Sequence, residues 1–338
     1  MGISRRVLIR SAAVIGVGSV AGLIPRSAGA AEFTIKLGNN VPDTHPTNVA
    51  LTKAADRIAR ETAGRVELRL FPNNALGGDT DMLSQVRSGA LEAYMLSPLV
   101  SATLVPLAAI SGLGFAFKDY DALWAAMDGE VGTLVRGEYA KINLVAMPRI
   151  FDNGFRQITT SGRPVHGPAD LKGLKIRVPV SPMWTSLFKA LGTSPISINF
   201  AELYSALQTK LAEAQENPLS IIQVGKLYEV QKYLAYTNHM WDGFWCVMNK
   251  ARWDALPKEL QGVVERNVNL AADEQRKAVR TLNESLQGEL ESKGMLFNKV
   301  DVTPFRDAIA RAGFYAEWQG KFGADSWALL EKFTGKLV

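Results

Sequence analysis

From Phe33 onward the apolar residues fall into two alternating rhythms. Phe33, Ile35 and Leu37 alternate with polar neighbours at the two-residue period of a strand. After Pro46, which opens the next segment, Leu51, Ala54, Ala55, Ile58 and Ala59 recur at helical spacing along one face, and Gly64 ends the run. A strand at 66–71, a helix at 81–87 and a β-like run at 91–96 follow. A second series begins after Asp152-Asn153-Gly154, which reads as a turn. It holds a strand at 174–178, a helix at 182–191 closed by Gly192, a β run at 195–198 and a helix at 201–208. Such alternation predicts an α/β architecture with a largely parallel sheet in each of two lobes. No flexible linker is visible, so crossing strands are expected to join the lobes. After a β-like 245–249, Leu260, Val263, Val264, Val268, Val279, Leu282, Leu286 and Leu290 predict one helix from Pro257 to about Ser292. At 1.5 Å per residue it reaches roughly 50 Å, enough to span both lobes.

The first thirty residues follow neither rhythm. Ser4-Arg5-Arg6-Val7-Leu8-Ile9-Arg10, an apolar run from Ala12 to Ile24 and Ala28-Gly29-Ala30 read as a cleavable twin-arginine export signal. The run is too short to cross a bilayer, which needs about 20 residues. Removing Arg5, Arg6, Arg10 and Arg26 lowers the net charge from +5 to +1, and no basic cluster remains to attract nucleic acid. With 338 residues, 47% of them hydrophobic, the chain has enough apolar material for a sizeable core. Its one cysteine, Cys246, lies in an apolar stretch and is expected to be a buried thiol, with no intrachain disulfide possible.

Enzyme signatures are scarce. His45, His166 and His239 lie far apart without metal-ligand spacing, and no nucleophile elbow, phosphate loop or dinucleotide fingerprint is present. Gly77-Gly78 before Asp79 reads as a turn leading into a helix. No metal, cofactor or catalytic role is expected. The most suggestive segment is Leu174-Lys175-Ile176-Arg177-Val178-Pro179-Val180-Ser181-Pro182. Leu174, Ile176 and Val178 share one face of a strand, Arg177 projects from the other, and Ser181 and Pro182 suit a helix start. Arg177 would then stand at the carboxyl end of a strand beside a helix N-terminus, where a carboxylate is welcome. A surface or interlobe ion pair is the competing reading. Asn217, before Pro218, is expected to cap the next helix, and Arg156 taken alone reads as a solvated charge.

Together, Phe155-Arg156-Gln157, the run from Leu171 to Pro179, Phe200-Ala201-Glu202-Leu203-Tyr204, Gln215-Glu216-Asn217-Pro218, Tyr228-Glu229-Val230-Gln231-Lys232-Tyr233 and Thr237-Asn238-His239 resemble the solute-binding proteins of tripartite ATP-independent periplasmic (TRAP) transporters. The similarity extends from Leu76-Gly77-Gly78 to Leu256-Pro257-Lys258-Glu259-Leu260. It implies a two-lobed periplasmic binding protein of the type II-like class, with residues 31–154 and 243–282 in one lobe and 155–242 and 283–338 in the other. Such a protein closes on an organic acid and delivers it to a permease of one small and one large integral membrane subunit. By resemblance Arg177 clamps the ligand carboxylate, Asn217 and Arg156 assist, and Phe200, Trp184, Trp241, Ser97, Asn40 and His239 complete the ligand site. Glu213-Ala214 departs from the Asp-Gly common in the family before Gln-Glu-Asn-Pro. Val180, Trp184, Ser97 and Trp241 match positions that vary with ligand; three are apolar or aromatic, which predicts a less hydroxylated acid. A monomer is expected over a dimer. The binding component of an ATP-driven uptake system and an exported enzyme acting on an acid are the alternatives.

Overall fold

The computed structural model describes residues 30–337, so the arginines of the expected export signal lie outside the described residues. Strands β1 (Phe33–Gly38), β2 (Val66–Phe71), β3 (Ala93–Leu96), β4 (Leu144–Ala146), β5 (Phe151–Phe155) and β6 (Gln157–Thr160) come first in the chain. They are followed by β7 (Lys175–Val178), β8 (Ser194–Ser197), β9 (Ala214–Asn217), β10 (Tyr233–Tyr236), β11 (Trp241–Asn249) and β12 (Leu296–Lys299). Two six-stranded sheets result. One runs β2-β1-β3-β11-β4 with β5 paired to β11, and the other runs β12-β10-β6-β9-β7-β8. The architecture is α/β and two-lobed, as the alternating rhythms suggest.

The sheets are mixed rather than largely parallel. β1 is parallel to β2 and β3, and β7 to β8 and β9, as βαβ crossovers require. Strand β11, however, enters from the other lobe and runs antiparallel to β3, β4 and β5, while β6 runs antiparallel to β9 and β10. The reason lies in the crossings. Arg156, the one residue between β5 and β6, carries the chain from one sheet to the other, and its N–H donates to the Met240 carbonyl at 2.8 Å just before β11 returns.

Asn153-Gly154 is not a turn. Both residues lie inside β5, where Gly154 takes φ +121° and packs against Pro218. The positive φ that marks a hairpin elsewhere here kinks a strand at the crossing. Opposite it, β11 shifts register between Asp242 and Gly243. A Cβ on Gly243 would lie 2.3 Å from the Trp241 ring and 2.7 Å from the Phe151 carbonyl oxygen, so glycine alone fits opposite this bulge, whose extra residue is Asn153 on β5.

The long helix runs from Lys258 to Ser292. Its first half buries Leu260, Val264 and Val268 among Ile35, Leu37, Leu51 and Ile58 under the first sheet. Its second half buries Leu286 and Leu290 with Leu203, Leu207 and Leu234 under the second. One amphipathic face therefore serves both lobes. The early helix, Pro46–Glu61, keeps the expected stripe except that Ala59 is exposed, and His45 caps it by accepting from the Thr47 N–H. The last helices join the lobes on another side. Phe314–Phe322 touches both the 106–112 turn and the helix Pro182–Ala190, and Ala324–Thr334 packs on Tyr120–Met127. Cys246 is a buried free thiol.

Candidate functional site

Where the two sheets face each other the chain encloses a cavity of about 30 Å³, lined from both lobes. Asn40 follows β1, Ser97 follows β3, Arg177 and Pro179 lie at the end of β7, and Asn217 closes β9. These are carboxyl ends of strands, where open α/β sheets place ligands. Asn153 and Asp242 come from the crossing strands, and Trp184 from the helix Pro182–Ala190.

Arg177 is buried at 1% exposure. Its Nε donates to the Ile198 carbonyl at 2.9 Å, which fixes the plane of the guanidinium. Neither Nη1 nor Nη2 has a hydrogen-bond partner in the protein. Burial pushes its pKa down to about 10, Glu216 working against the shift and Arg156 adding to it. A buried charge with four unsatisfied N–H bonds is costly for a fold to hold, and a planar fork aimed at a cavity suits one carboxylate.

Arg156 is the opposite case. It is buried, not solvated, and all its nitrogens are occupied. Nε and Nη2 take the Glu216 carboxylate at 2.5 and 2.8 Å, Nη2 also meets the Asn217 Oδ1 at 2.9 Å, and Nη1 reaches Asp242 at 3.2 Å. Burial opposes its charge, but Glu216 and Asp242 outweigh that and hold its pKa above the ordinary guanidinium value. Glu216 stays ionised in turn: burial would raise its pKa, yet Arg156 and His239 bring it below the usual range. The Arg156 guanidinium also lies 4.8 Å from the Trp184 ring centre.

Asn217 does not cap the following helix. Pro218 takes that position, and the Asn217 amide instead bridges Arg156 and the Gln215 Oε1, to which it donates at 2.6 Å. Ser181 stands at the start of its helix with Pro182 first inside, but its hydroxyl makes no capping bond.

Of the nine residues singled out in the sequence, seven line the cavity: Asn40, Ser97, Arg156, Arg177, Trp184, Phe200 and Asn217. Trp241 and His239 do not. The Trp241 indole donates to Asp152 at 2.8 Å and packs edge-on against Trp124, in the core beside the crossing. His239 is buried behind Glu216, its Nε2 donating to that carboxylate at 3.1 Å and its Nδ1 accepting from Thr237. Val180 belongs to a separate open groove.

The lining is also more polar than expected. Asp79, Asn153 and Asp242 face the cavity, and Trp184 presents an Nε1 with no partner rather than a purely apolar wall. From the sequence, Asp79 reads as a helix-start residue and Asn153 as part of a turn. Asp242 offered a signal, an acid inside the apolar run from Met240 to Met248, where a charge needs buried partners. Its partners are Ser97 at 2.8 Å, Asn153 at 3.1 Å and Arg156; burial, against Arg156, pushes its pKa up to about 6. Among the described residues no group of three or more His, Cys, Asp or Glu side chains has the arrangement of a metal site, and no helix is long and apolar enough to cross a membrane.

Residues 37–317 match the model of the bacterial extracellular solute-binding proteins, family 7. The chain is 33% identical over 292 residues to the 2,3-diketo-L-gulonate-binding periplasmic protein YiaO of Escherichia coli, covering 86% of this chain and 89% of that one. Among solved structures it resembles a TRAP periplasmic solute-binding protein from Polaromonas with bound D-erythronate, at 30% identity and TM-score 0.86, covering 90% of this chain and 100% of the other. A second, from Sulfurospirillum deleyianum with bound succinate, matches at 29% identity and TM-score 0.84, covering 90% and 99%.

Proposed function

Since the chain belongs to the bacterial extracellular solute-binding proteins of family 7 and is therefore a binding protein rather than an enzyme, we propose that it captures one small organic acid anion between its lobes with Arg177 as the carboxylate clamp. The single observation that carries this reading is the buried Arg177 guanidinium, oriented by Ile198, with both Nη groups unpartnered toward the cavity. An entering carboxylate supplies the two acceptors that the fold withholds.

Asn217 assists as part of the cavity lining, its amide held by Arg156 and Gln215, and Arg156 acts as a positioning residue that fixes Asn217 and Asp242. Phe200 and Trp184 close the walls, with Ser97 and Asn40 orienting the acidic side chains. Trp241 and His239 support the crossing strands and Glu216 from outside. Residues 31–154 and 243–282 then move as one lobe and 155–242 and 283–338 as the other, flexing where Arg156 and Met240 cross. Binding swaps solvent around the anion for fixed donors and holds the lobes together.

The mature protein works in the periplasm after twin-arginine export, and its closed form hands the acid to a TRAP permease of small and large membrane subunits. YiaO and the two ligand-bound structures support the compartment and the ligand class. The test is a thermal-shift screen of the purified mature chain against an organic-acid panel, since a ligand that binds only the native state raises its stability. A concentration-dependent rise in Tm with at least one carboxylate, and none with the corresponding amide or alcohol, is the expected result. Equal shifts with the amide would overturn the clamp.

A further inference from the structure

The two arginines of the cavity differ in what they leave open, and two aspartates line the cavity with them. Arg156 is committed to Glu216, Asp242 and Asn217, so Arg177 supplies the one guanidinium with free donors. Asp79 and Asp242 line the same cavity, Asp242 in contact with Arg156. The bonds that Asp79 accepts from Asn40 and from Tyr94, each 2.8 Å, both land on Oδ1, which leaves Oδ2 for a guest. Asp242 accepts from Ser97, Gly243, Asn153 and Arg156 and presents its charge without a vacant lone pair of good geometry. Asn153 gives its Nδ2 to Asp242 and leaves Oδ1 buried and unpartnered. The open groups are thus donors at Arg177 and Trp184, and acceptors at Asp79 and Asn153.

Resting on the reading of Arg177 as the clamp, we propose that the ligand is a short hydroxylated monocarboxylate, whose carboxylate meets Arg177 and Trp184 while its hydroxyls donate to Asp79 and Asn153. A second carboxylate has no place. It would arrive with acceptors where the wall already offers acceptors, and its charge would add to Asp79, Asp242 and Glu216 against two arginines. An unhydroxylated acid fails for a different reason, since it leaves the buried acceptors unpaired. The cavity discriminates by the far end of the guest, not by the end that Arg177 holds.

Calorimetric titration of the mature chain at pH 8 with matched four-carbon acids tests this. D-erythronate carries one carboxylate and three hydroxyls; meso-tartrate replaces its terminal alcohol by a second carboxylate; succinate and butyrate lack hydroxyls. D-erythronate should bind at least tenfold more tightly than each of the other three, and Asp79→Asn should narrow its margin over meso-tartrate at least fivefold. Tighter or equal binding of meso-tartrate, succinate or butyrate overturns the inference, as does a failure of all four to bind. Should Asp79→Asn not fold, the wild-type ratios decide alone. Arg177→Gln distinguishes the ligand class from the clamp. If a dicarboxylate is preferred and its binding needs Arg177, only the ligand class is wrong; if binding survives the loss of Arg177, the clamp itself is wrong.

Discussion

Arg156 grips Glu216 with two parallel bonds, Nε to Oε2 at 2.5 Å and Nη2 to Oε1 at 2.8 Å, both side chains being buried. This pair lies at the point where the chain passes from one sheet to the other, and it neutralises the guanidinium nearest to Arg177. The crossing is thereby built on a buried ion pair, and the neighbouring Arg177 keeps both Nη groups without a partner.

Arg156→Ala should therefore act on stability. It strands Glu216 and Asp242 in the interior, and breaking a buried pair typically costs about 3–5 kcal/mol. Urea unfolding of the ligand-free protein should register a loss of that order. A loss below about 1 kcal/mol would mean that the pair does not hold the crossing together.

Arg177→Gln should do the reverse to the ligand-free protein. Burial depresses the Arg177 pKa to about 10. For a base lowered in this way the penalty applies in full below pH 10 and fades only as pH rises from there toward the unfolded value, so at pH 7 it is fully present. Removing the charge should stabilise the unliganded fold by about 1–3 kcal/mol, read as a higher Tm, while ligand-induced stabilisation disappears. A lower Tm would indicate that Arg177 is a structural group.

Trp184→Phe keeps a ring beside Arg156 and removes the unpartnered Nε1. A lost hydrogen bond to a charged group is worth about 1.5–3 kcal/mol, so affinity should fall roughly tenfold to a hundredfold with little change in Tm. Unaltered affinity in calorimetry would place the indole N–H outside the ligand site.

Acid sensitivity is expected from His45. Burial pushes its pKa down to about 4, and its Nδ1 accepts from the Thr47 N–H at the start of the first helix. A base depressed on folding supports stability above its unfolded value near 6.5 and loses that support as pH falls through 4. The loss approaches about 3 kcal/mol over that window. Asp242 and Asp152, raised by burial to about 6 and about 7, act in the opposite sense, their contribution being lost as pH rises through those values. The difference between wild type and His45→Asn isolates the histidine, since asparagine can also cap a helix. Parallel stability curves from pH 7 to pH 4 would contradict this assignment.

The elements that bury one repeating face were legible in the sequence. The helix Lys258–Ser292 and the strand Lys175–Val178 announce themselves by spacing, and Arg177 stands out because it falls at the end of that strand, just before the helix start at Ser181-Pro182. The strand directions were not legible, because an antiparallel β11 and a parallel one have the same apolar pattern and differ only in where the chain comes from. Gly154 misled for a related reason: a positive φ is written the same way in a hairpin and in a kinked strand. Trp241 and His239 sit one layer behind the cavity, a distance that local sequence does not encode, and Asp79 faces it only because a helix start from one lobe meets the other.

The most direct test of the account is a calorimetric comparison of wild type and Arg177→Gln with the acid that binds wild type most tightly. Loss of one side of a buried charge pair at about 3–5 kcal/mol predicts a Kd two to three and a half decades weaker, with the variant still folded. An unchanged Kd would contradict the carboxylate clamp.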